Sequence, residues 1–355
     1  MAVRGEVLPN LMAVSCLSAA KSSILTTMKS LIDPLLRQAL RQKTASVIAC
    51  AIIKPDSVLY QKSFAEDWTG GPPPRFFDIA SVTKTFTATA FIRLHRQHKI
   101  DISAPVSRYL PAFSSPQVTI KQLLTHTSGI PRAFIRSKYS RQEILDELFS
   151  ARYTPAAVPV YSDGNFLLLG ELLEQHGGLE NIFNREIFTP AGLSQTFFNP
   201  LRHNIMPADI APAEIHAVRG LVQGEVHDDK AFSFNGIAGH AGLFSTLNDI
   251  IRYSQALLNG TLLDTNAKQL LKESSAGSYK NRFTLGWFRE DELEGSSAND
   301  FIVVRTGFTG TSLLLNFDRE TAVILLTNRT FPHRDNPLIF ELRKKLHNLV
   351  YREGL

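Results

Sequence analysis

Strand-like sequence lies at the two ends of this chain and helix-like sequence between them, and that order limits the folds open to it. Ser46 to Ile53 and Ser57 to Phe64 read as two strands joined by the Lys54-Pro55-Asp56 turn. Strand character returns at Phe283 to Arg289, Phe301 to Arg305, Thr311 to Phe317 and Thr321 to Leu326, with Asp318-Arg319-Glu320 as a hairpin between the last two. The stretch between is expected to be helix and loop, with helices at Thr119 to Leu124, Arg141 to Phe149, Asn165 to Gln175, Leu179 to Ile187 and Leu247 to Leu258. Amphipathic helices are expected near both ends: Ser30 to Lys43, with Leu31, Leu35, Leu36 and Leu40 on one face, and about Pro337 to Tyr351. The expected fold is therefore α+β. One antiparallel sheet is built from the N- and C-terminal segments, flanked by the terminal helices, and a large, mostly helical insertion folds against it. Residues 29–84 and 260–355 form the sheet domain, 85–259 the helical domain, and 1–28 a disordered or leader segment.

At 355 residues the chain can bury a substantial core. Its formal charge of +5 comes from scattered lysines and arginines. The densest cluster, Arg343-Lys344-Lys345, falls on the expected C-terminal helix and reads as a solvated face, so no nucleic-acid partner is expected. The two cysteines, Cys16 and Cys50, define neither a disulfide framework nor a cysteine-based metal site. No run approaches the ~18 apolar residues of a membrane span. Leu11 to Ala20 is mildly apolar, so a short leader or a lipoprotein-type cleavage before Cys16 competes with a frayed N-terminus. Glu6, Pro9 and Asn10 interrupt that stretch, and a soluble, cytoplasmic reading is favoured over export.

The segment Phe77-Asp78-Ile79-Ala80-Ser81-Val82-Thr83-Lys84 opens an apolar-patterned run to about Leu94. It sets a serine and a lysine three residues apart, on one helix face. A serine hydroxyl becomes an effective nucleophile when a neighbouring base takes its proton. The spacing alone arises about once by chance in a chain of this size, and Ser18-Ala19-Ala20-Lys21 is a second instance. Context decides. A helix starting at Ser81 would sit in the cleft between sheet and insertion, where groups from distant segments converge.

Three further segments carry candidate chemistry. Tyr161, in Val160-Tyr161-Ser162-Asp163-Gly164-Asn165, is either a base, if a cation lies beside its phenol, or a ring packed at a helix start. Val304-Arg305-Thr306-Gly307-Phe308-Thr309-Gly310-Thr311 is either a two-glycine hairpin or a turn whose amides hold an oxyanion. His126, in Leu-Leu-Thr-His-Thr-Ser-Gly, and His240, in Gly-His-Ala-Gly-Leu-Phe-Ser-Thr, are read as structural rather than catalytic histidines.

In order and spacing these five segments resemble the serine β-lactamase and penicillin-binding-protein-like superfamily. The closest likeness is to the branch holding class C β-lactamases, D-aminopeptidases, D-alanyl-D-alanine carboxypeptidases and related esterases, across about residues 30 to 350. The resemblance implies the β-lactamase/transpeptidase-like fold and an acyl-enzyme mechanism without metal or organic cofactor. It implies that Ser81 is the nucleophile, that Lys84 and Tyr161 share the proton traffic, and that the N–H groups of Ser81 and Phe308 form the oxyanion hole. It places Arg305, Thr306 and Gly307 on the strand beside the substrate, with Asp163 also at the binding site. The implied substrates are esters or small peptide amides, including those of D-residues. A β-lactamase or D-Ala-D-Ala carboxypeptidase, and a non-catalytic scaffold or cell-wall-fragment binder, are the alternatives.

Two positions depart from the β-lactamase form. Asp163 stands where those enzymes use asparagine, so an amide donor is replaced by an acceptor. A carboxylate there either favours the ammonium form of Lys84 or turns toward another cation. Arg305 stands where lysine or histidine is usual, and its planar fork suits a carboxylate. A carboxylate-bearing substrate and weak β-lactam turnover are the resulting expectations.

Overall fold

A computed structural model describes residues 28–65, 72–133, 140–297 and 299–354. The segment before residue 28, expected to be disordered or a leader, lies outside the described residues with Cys16 and the Ser18–Lys21 pair, as do Gly70, Gly71 and most of the loop between Arg132 and Arg141.

The chain opens with helix α1 (28–41), then hairpin β1 (Ile48–Lys54) and β2 (Ser57–Phe64), and strand β3 (Phe76–Asp78). The insertion follows: α2 (Thr83–Arg96), α3 (Ile120–Leu124), α4 (Arg141–Ser150), α5 (Asp163–Gln175), α6 (Leu179–Phe183), α7 (Thr189–Ala191), β4 (Phe197–Phe198), β5 (Glu214–His216), β6 (Gly220–Val222), α8 (Asp229–Ser233), β7 (Leu243–Thr246) and α9 (Leu247–Leu258). The chain returns through α10 (Thr265–Glu273), β8 (Ala276–Ser278), β9 (Asn281–Thr284), β10 (Trp287–Arg289), β11 (Ile302–Thr306), β12 (Ser312–Asn316), β13 (Thr321–Thr327) and α11 (Leu338–Arg352). The main sheet has eight strands in the order β2-β1-β13-β12-β11-β10-β9-β8, every pair antiparallel. The terminal segments are thus sewn together by β1 against β13, from Ile48–Thr327 to Ile53–Ala322, as the order of strand-like runs demanded.

Alternation along β1 explains why the sheet is covered on both faces. Ile48, Cys50 and Ile52 join one core with Ile32 and Leu36 of α1 and Leu342, Leu346 and Val350 of α11. Ala49, Ala51 and Ile53 join the other, with the residues of α2, α5 and α9. Cys50 is a buried free thiol.

Helix α2 runs through the middle of the second core and is buried on nearly every side. Its threonines satisfy their hydroxyls locally or across the interface. Thr85 Oγ1 donates to Val82 O (2.8 Å), Thr87 Oγ1 donates to Gly239 O (2.6 Å), and Thr89 pairs with the Tyr253 hydroxyl (3.0 Å). Phe86 stacks on Tyr253 with centroids 4.0 Å apart. Truncating such a ring costs about 3–5 kcal/mol. The helix that carries Lys84 is therefore firmly held in the core.

Several elements differ from expectation. The run Phe283 to Arg289 is two strands, because the chain turns at Leu285–Gly286. Gly286 has φ +81°, and a Cβ there would lie 2.4 Å from the Ala88 Cβ, so the turn is pressed onto α2. The helix expected over Leu179 to Ile187 ends at Phe183 and continues as a π turn, Asn184–Phe188. A small sheet, β3-β7-β4, and the hairpin β5–β6 were not foreseen; their strands have two to four residues, too short for a period-2 pattern.

Candidate active site

The turn before α2 has an unusual backbone. Ala80 takes φ +46°, a left-handed value that is rare for a residue with a Cβ. Asp78 holds it there, since the Ala80 N–H donates to Asp78 Oδ1 (2.8 Å) and the His227 N–H donates to Oδ2 (2.8 Å). Burial pushes this carboxyl up to about 6, with those two donors and Arg219 opposing. The neighbouring strand turn grips the same peptides: Thr309 Oγ1 donates to Asp78 O (2.8 Å) and Thr311 Oγ1 to Ile79 O (3.0 Å). At Gly307 a Cβ would meet Thr311 Oγ1 at 2.1 Å and Ile79 O at 2.7 Å, so only glycine lets β11 approach this closely.

Ser81 lies in a single 3₁₀ turn, Ala80–Val82, that leads into α2, rather than in the α-helix itself. Across this junction residues i and i+3 still share a face, which brings Lys84 over Ser81. Lys84 Nζ donates to Ser81 Oγ (2.9 Å), to Asp163 Oδ1 (2.9 Å) and to His240 O (3.2 Å). Three acceptors match the three N–H bonds of an ammonium. The group is fully buried.

Tyr161 approaches Ser81 from the N-terminal side of α5. Its hydroxyl lies 3.1 Å from Ser81 Oγ and accepts from Arg305 Nη2 at 3.1 Å. The Lys84 ammonium sits 5.2 Å and the Arg305 guanidinium 5.0 Å from its ring centroid. The ring is held by Phe288 (5.7 Å) and His126 (4.8 Å). Arg305 itself is fully buried; its Nε donates to Ser81 O (3.2 Å) and it stacks against Phe288 (5.1 Å). This corrects the expectation that Arg305 lies beside the substrate. Strand alternation turns Thr306 to the cleft and sends the Arg305 side chain beneath Tyr161.

Asp163 takes both of the courses open to it. Oδ1 accepts from Lys84, and Oδ2 pairs with Lys230 Nζ at 3.1 Å. Burial would raise this carboxyl, but Lys84, His240 and Lys230 together hold it well below the usual range. Asp163, Asp228 and His240 offer oxygen and nitrogen atoms within 4.8 Å of one another, a spacing compatible with a metal ion. Two lysine ammoniums already flank Asp163, however, and Asp228 Oδ1 accepts from His240 Nε2 (2.8 Å) and from the Ala231 N–H (2.9 Å), capping α8. Each carboxylate of this group thus already has partners within the protein.

The histidines read as structural have structural partners. His126 Nδ1 accepts from the Ser162 N–H (3.2 Å) and pairs with Asn165 Nδ2 (3.0 Å), and His126 O accepts from the Val160 N–H (2.8 Å). Burial, with Arg305 and Lys84 nearby, holds its imidazole well below its ordinary range and therefore neutral. This residue ties the Leu-Leu-Thr-His-Thr-Ser-Gly turn to the loop that presents Tyr161.

The site opens into a cleft of about 480 Å³. Ser81, Tyr161, Asp163, Thr306, Gly307 and Phe308 line it, so six sequence-selected residues converge there, while Lys84 and Arg305 lie beneath its floor. The cleft also holds residues that sequence reasoning missed: Lys230 and Phe288 on one side, Arg329 and Arg343 near Phe308. Arg343 Nη2 donates to Gly307 O (2.7 Å) and Thr311 O (2.8 Å), and Arg329 Nε donates to Phe308 O (2.7 Å). Neither has a carboxylate within ion-pair distance among the described residues. Burial, with Arg329 adjacent, pushes Arg343 down to about 9, still cationic near neutral pH. Arg343 had been read as part of a solvated basic face. The helical period gives it the inner side of α11, where Leu342 and Leu346 also point.

Solved structures with this architecture include a hydrolase and an amidase. EstCE1, a hydrolase with promiscuous acyltransferase activity, superposes with a TM-score of 0.71 at 19% identity, over 93% of this chain and all of its own. D-amino acid amidase from Ochrobactrum anthropi SV3 gives 0.69 at 18%, over 93% and 100%. Fold and site together define a hydrolase of the serine β-lactamase and penicillin-binding-protein class. Residues 32–347 match the family model described as Beta-lactamase. The chain is also 31% identical over 316 residues to N-acetylmuramyl-L-alanine amidase of Bacillus subtilis (strain 168), covering 75% of this chain and 71% of that one. This chain belongs to the Beta-lactamase family. Among the described residues no helix is long and apolar enough to cross a membrane.

Proposed function

We propose that this protein cleaves esters or small peptide amides, including those of D-residues, through an acyl-enzyme on Ser81. The observation that carries the reading is the reach of Ser81 Oγ to both Lys84 Nζ and the Tyr161 hydroxyl, at 2.9 and 3.1 Å. Lys84, donating to three acceptors, is placed as an ammonium. The base is therefore Tyr161 as its phenolate, its negative charge stabilised by Arg305 and Lys84, and it takes the Ser81 proton as Ser81 Oγ attacks the substrate carbonyl. Tyr161 then gives that proton to the leaving oxygen or nitrogen as the tetrahedral intermediate collapses. The N–H groups of Ser81 and Phe308 hold the oxyanion, and water attacks the acyl-enzyme by the same proton route. The amidase and hydrolase names of the relatives support the reaction class.

A carboxylate on the leaving group, as at a peptide C-terminus, fits Arg329 and Arg343 beside Phe308, neither of which has a carboxylate within ion-pair distance among the described residues. They take the role that the sequence had suggested for Arg305. The test is incubation with a fluorophosphonate and with p-nitrophenyl esters, followed by intact mass. One adduct is expected on the wild type and none on Ser81→Ala, with ester turnover lost. An adduct that survives Ser81→Ala, or none on the wild type, would return the protein to the non-catalytic scaffold reading.

A further inference from the structure

The charges around the cleft do not cancel evenly. Its wall on the insertion side carries Asp163, Asp228, Asp229 and Lys230. Each carboxylate there already has partners within the protein. Asp163 is shared by Lys84 and Lys230; Asp228 accepts from His240 and from its own helix; Asp229 pairs with Arg219 Nη2 at 3.1 Å, with Arg334 at 4.0 Å and His216 at 3.8 Å. Lys230 is different. Its ion-pair partner among the described residues is Asp163, its side chain is about a quarter exposed, and it faces the cleft. An ammonium has three N–H bonds, so Lys230 has donors left for whatever lies in the cleft. The wall as a whole thus offers donors to a ligand and has little acceptor capacity to spare for a cation.

The placement of that ammonium also matters. Asp163 spans the gap from Lys84 to Lys230, so Lys230 Nζ stands one carboxylate away from the ammonium that touches Ser81 Oγ. With the leaving-group carboxylate at Arg329 and Arg343, as in the reading above on which this step rests, the acyl portion is the part that runs along the insertion wall.

We infer that Lys230 is a specificity-determining residue that donates to an oxygen of the acyl group, so that the preferred acyl group carries an amide carbonyl or a carboxylate and not a free amine. Asp163 cannot supply that donor, and Lys230, anchored on it, does. A free α-ammonium would meet Lys230 and a wall whose carboxylates are already paired; like charges at that distance repel.

The experiment compares four activated p-nitrophenyl esters that differ only in the acyl group: N-acetylglycine, succinate, glycine and butyrate. All four need Ser81, and only the first two offer an acceptor oxygen. In the wild type, kcat/KM for the N-acetylglycine or succinate ester is expected to exceed that for both glycine and butyrate by about tenfold or more, the range of a hydrogen bond from a charged donor. N-acetylglycine against succinate tells a neutral carbonyl from a carboxylate. In Lys230→Met that preference collapses to within about threefold. In Lys230→Arg, which keeps a charged donor, most of it returns. A wild type that turns over the glycine or butyrate ester as efficiently as the other two overturns the inference without any variant, and so does a preference that survives Lys230→Met. Failure of all four esters, with no fluorophosphonate adduct on Ser81, strikes instead at the acyl-enzyme reading.

Discussion

Two residues, Tyr161 and Arg305, show how a single side chain can carry chemistry or support it. Tyr161 is the proton acceptor in the proposed mechanism, so Tyr161→Phe is expected to lower kcat on p-nitrophenyl esters by about 10²–10⁴-fold, with the fold retained by circular dichroism. Arg305 acts through Tyr161 and the Ser81 carbonyl, to which it is bonded beneath the cleft. Arg305→Met should therefore reduce turnover of neutral esters and of carboxylate-bearing amides by similar factors, in kcat more than in KM. A loss confined to the carboxylate substrates would put Arg305 in direct contact with them. The sequence alone could not separate the two roles. Arg305 and Thr306 are adjacent on a strand, and alternation allows only one of them to face the cleft. Which one is fixed by the register of β11 against β12, Arg305 opposite Leu313 and Thr306 opposite Ser312. Lys230 was harder still. It has no motif, and it reaches Asp163 only because Asp228 caps a five-residue helix beside it.

At the scale of elements, the site depends on how closely β11 and its turn lie against the peptides that precede Ser81. Gly307→Ala is the sharpest probe, because the added methyl would overlap Thr311 Oγ1 and the Ile79 carbonyl, part of the rigid turn before α2. The strand must retreat and carry the Phe308 N–H with it. The expected result is a loss of about 10²–10³ in kcat, the size of one lost oxyanion donor. The accompanying stability change should be about 1–3 kcal/mol, typical of overpacking. Single-turnover acylation checks the first figure and urea melting the second. Long, periodic elements were legible in advance: α9 lies where its pattern put it, at Leu247–Leu258, and the β12–β13 hairpin needed shifts of one residue. The small sheet β3-β7-β4 was not, although it aligns Asp78 for the Ser81 turn through its pairing with Phe244. Three-residue strands have no periodicity to read, and tertiary contacts alone define them.

For the whole molecule, the buried histidines contribute to the response to acid. Burial, reinforced by Arg343, pushes His347 on α11 down to about 3, and His126 is likewise held well below its ordinary range. Both are neutral in the folded protein. Once pH falls below the ordinary histidine value near 6.5, the unfolded chain binds protons that the folded one refuses, and stability declines at about 1.4 kcal/mol per pH unit for each such group. Above that value both states are neutral and the contribution is constant. His347→Gln should flatten the fall in unfolding free energy between pH 6.5 and 4 relative to wild type, measured by chemical denaturation. Asp78 works in the opposite sense. Its folded value is raised to about 6, so its burial lowers stability as pH rises from about 4 to 6. Asp78→Asn should gain ground on the wild type over that interval.

The pairing of β1 with β13 has a consequence in time. Ile48 lies against Thr327, and the strand that supports the Ser81 turn, β11, begins only at Ile302. A ribosome extending the chain at about 5–20 residues per second delivers the turn and α2 well before the strands they rest on. Through that interval the apolar inner faces of β1 and of α2 have no lasting partner, and closing so large a loop is slow. The cleft therefore cannot be complete until the late strands have been made, however early the Ser81 turn itself appears.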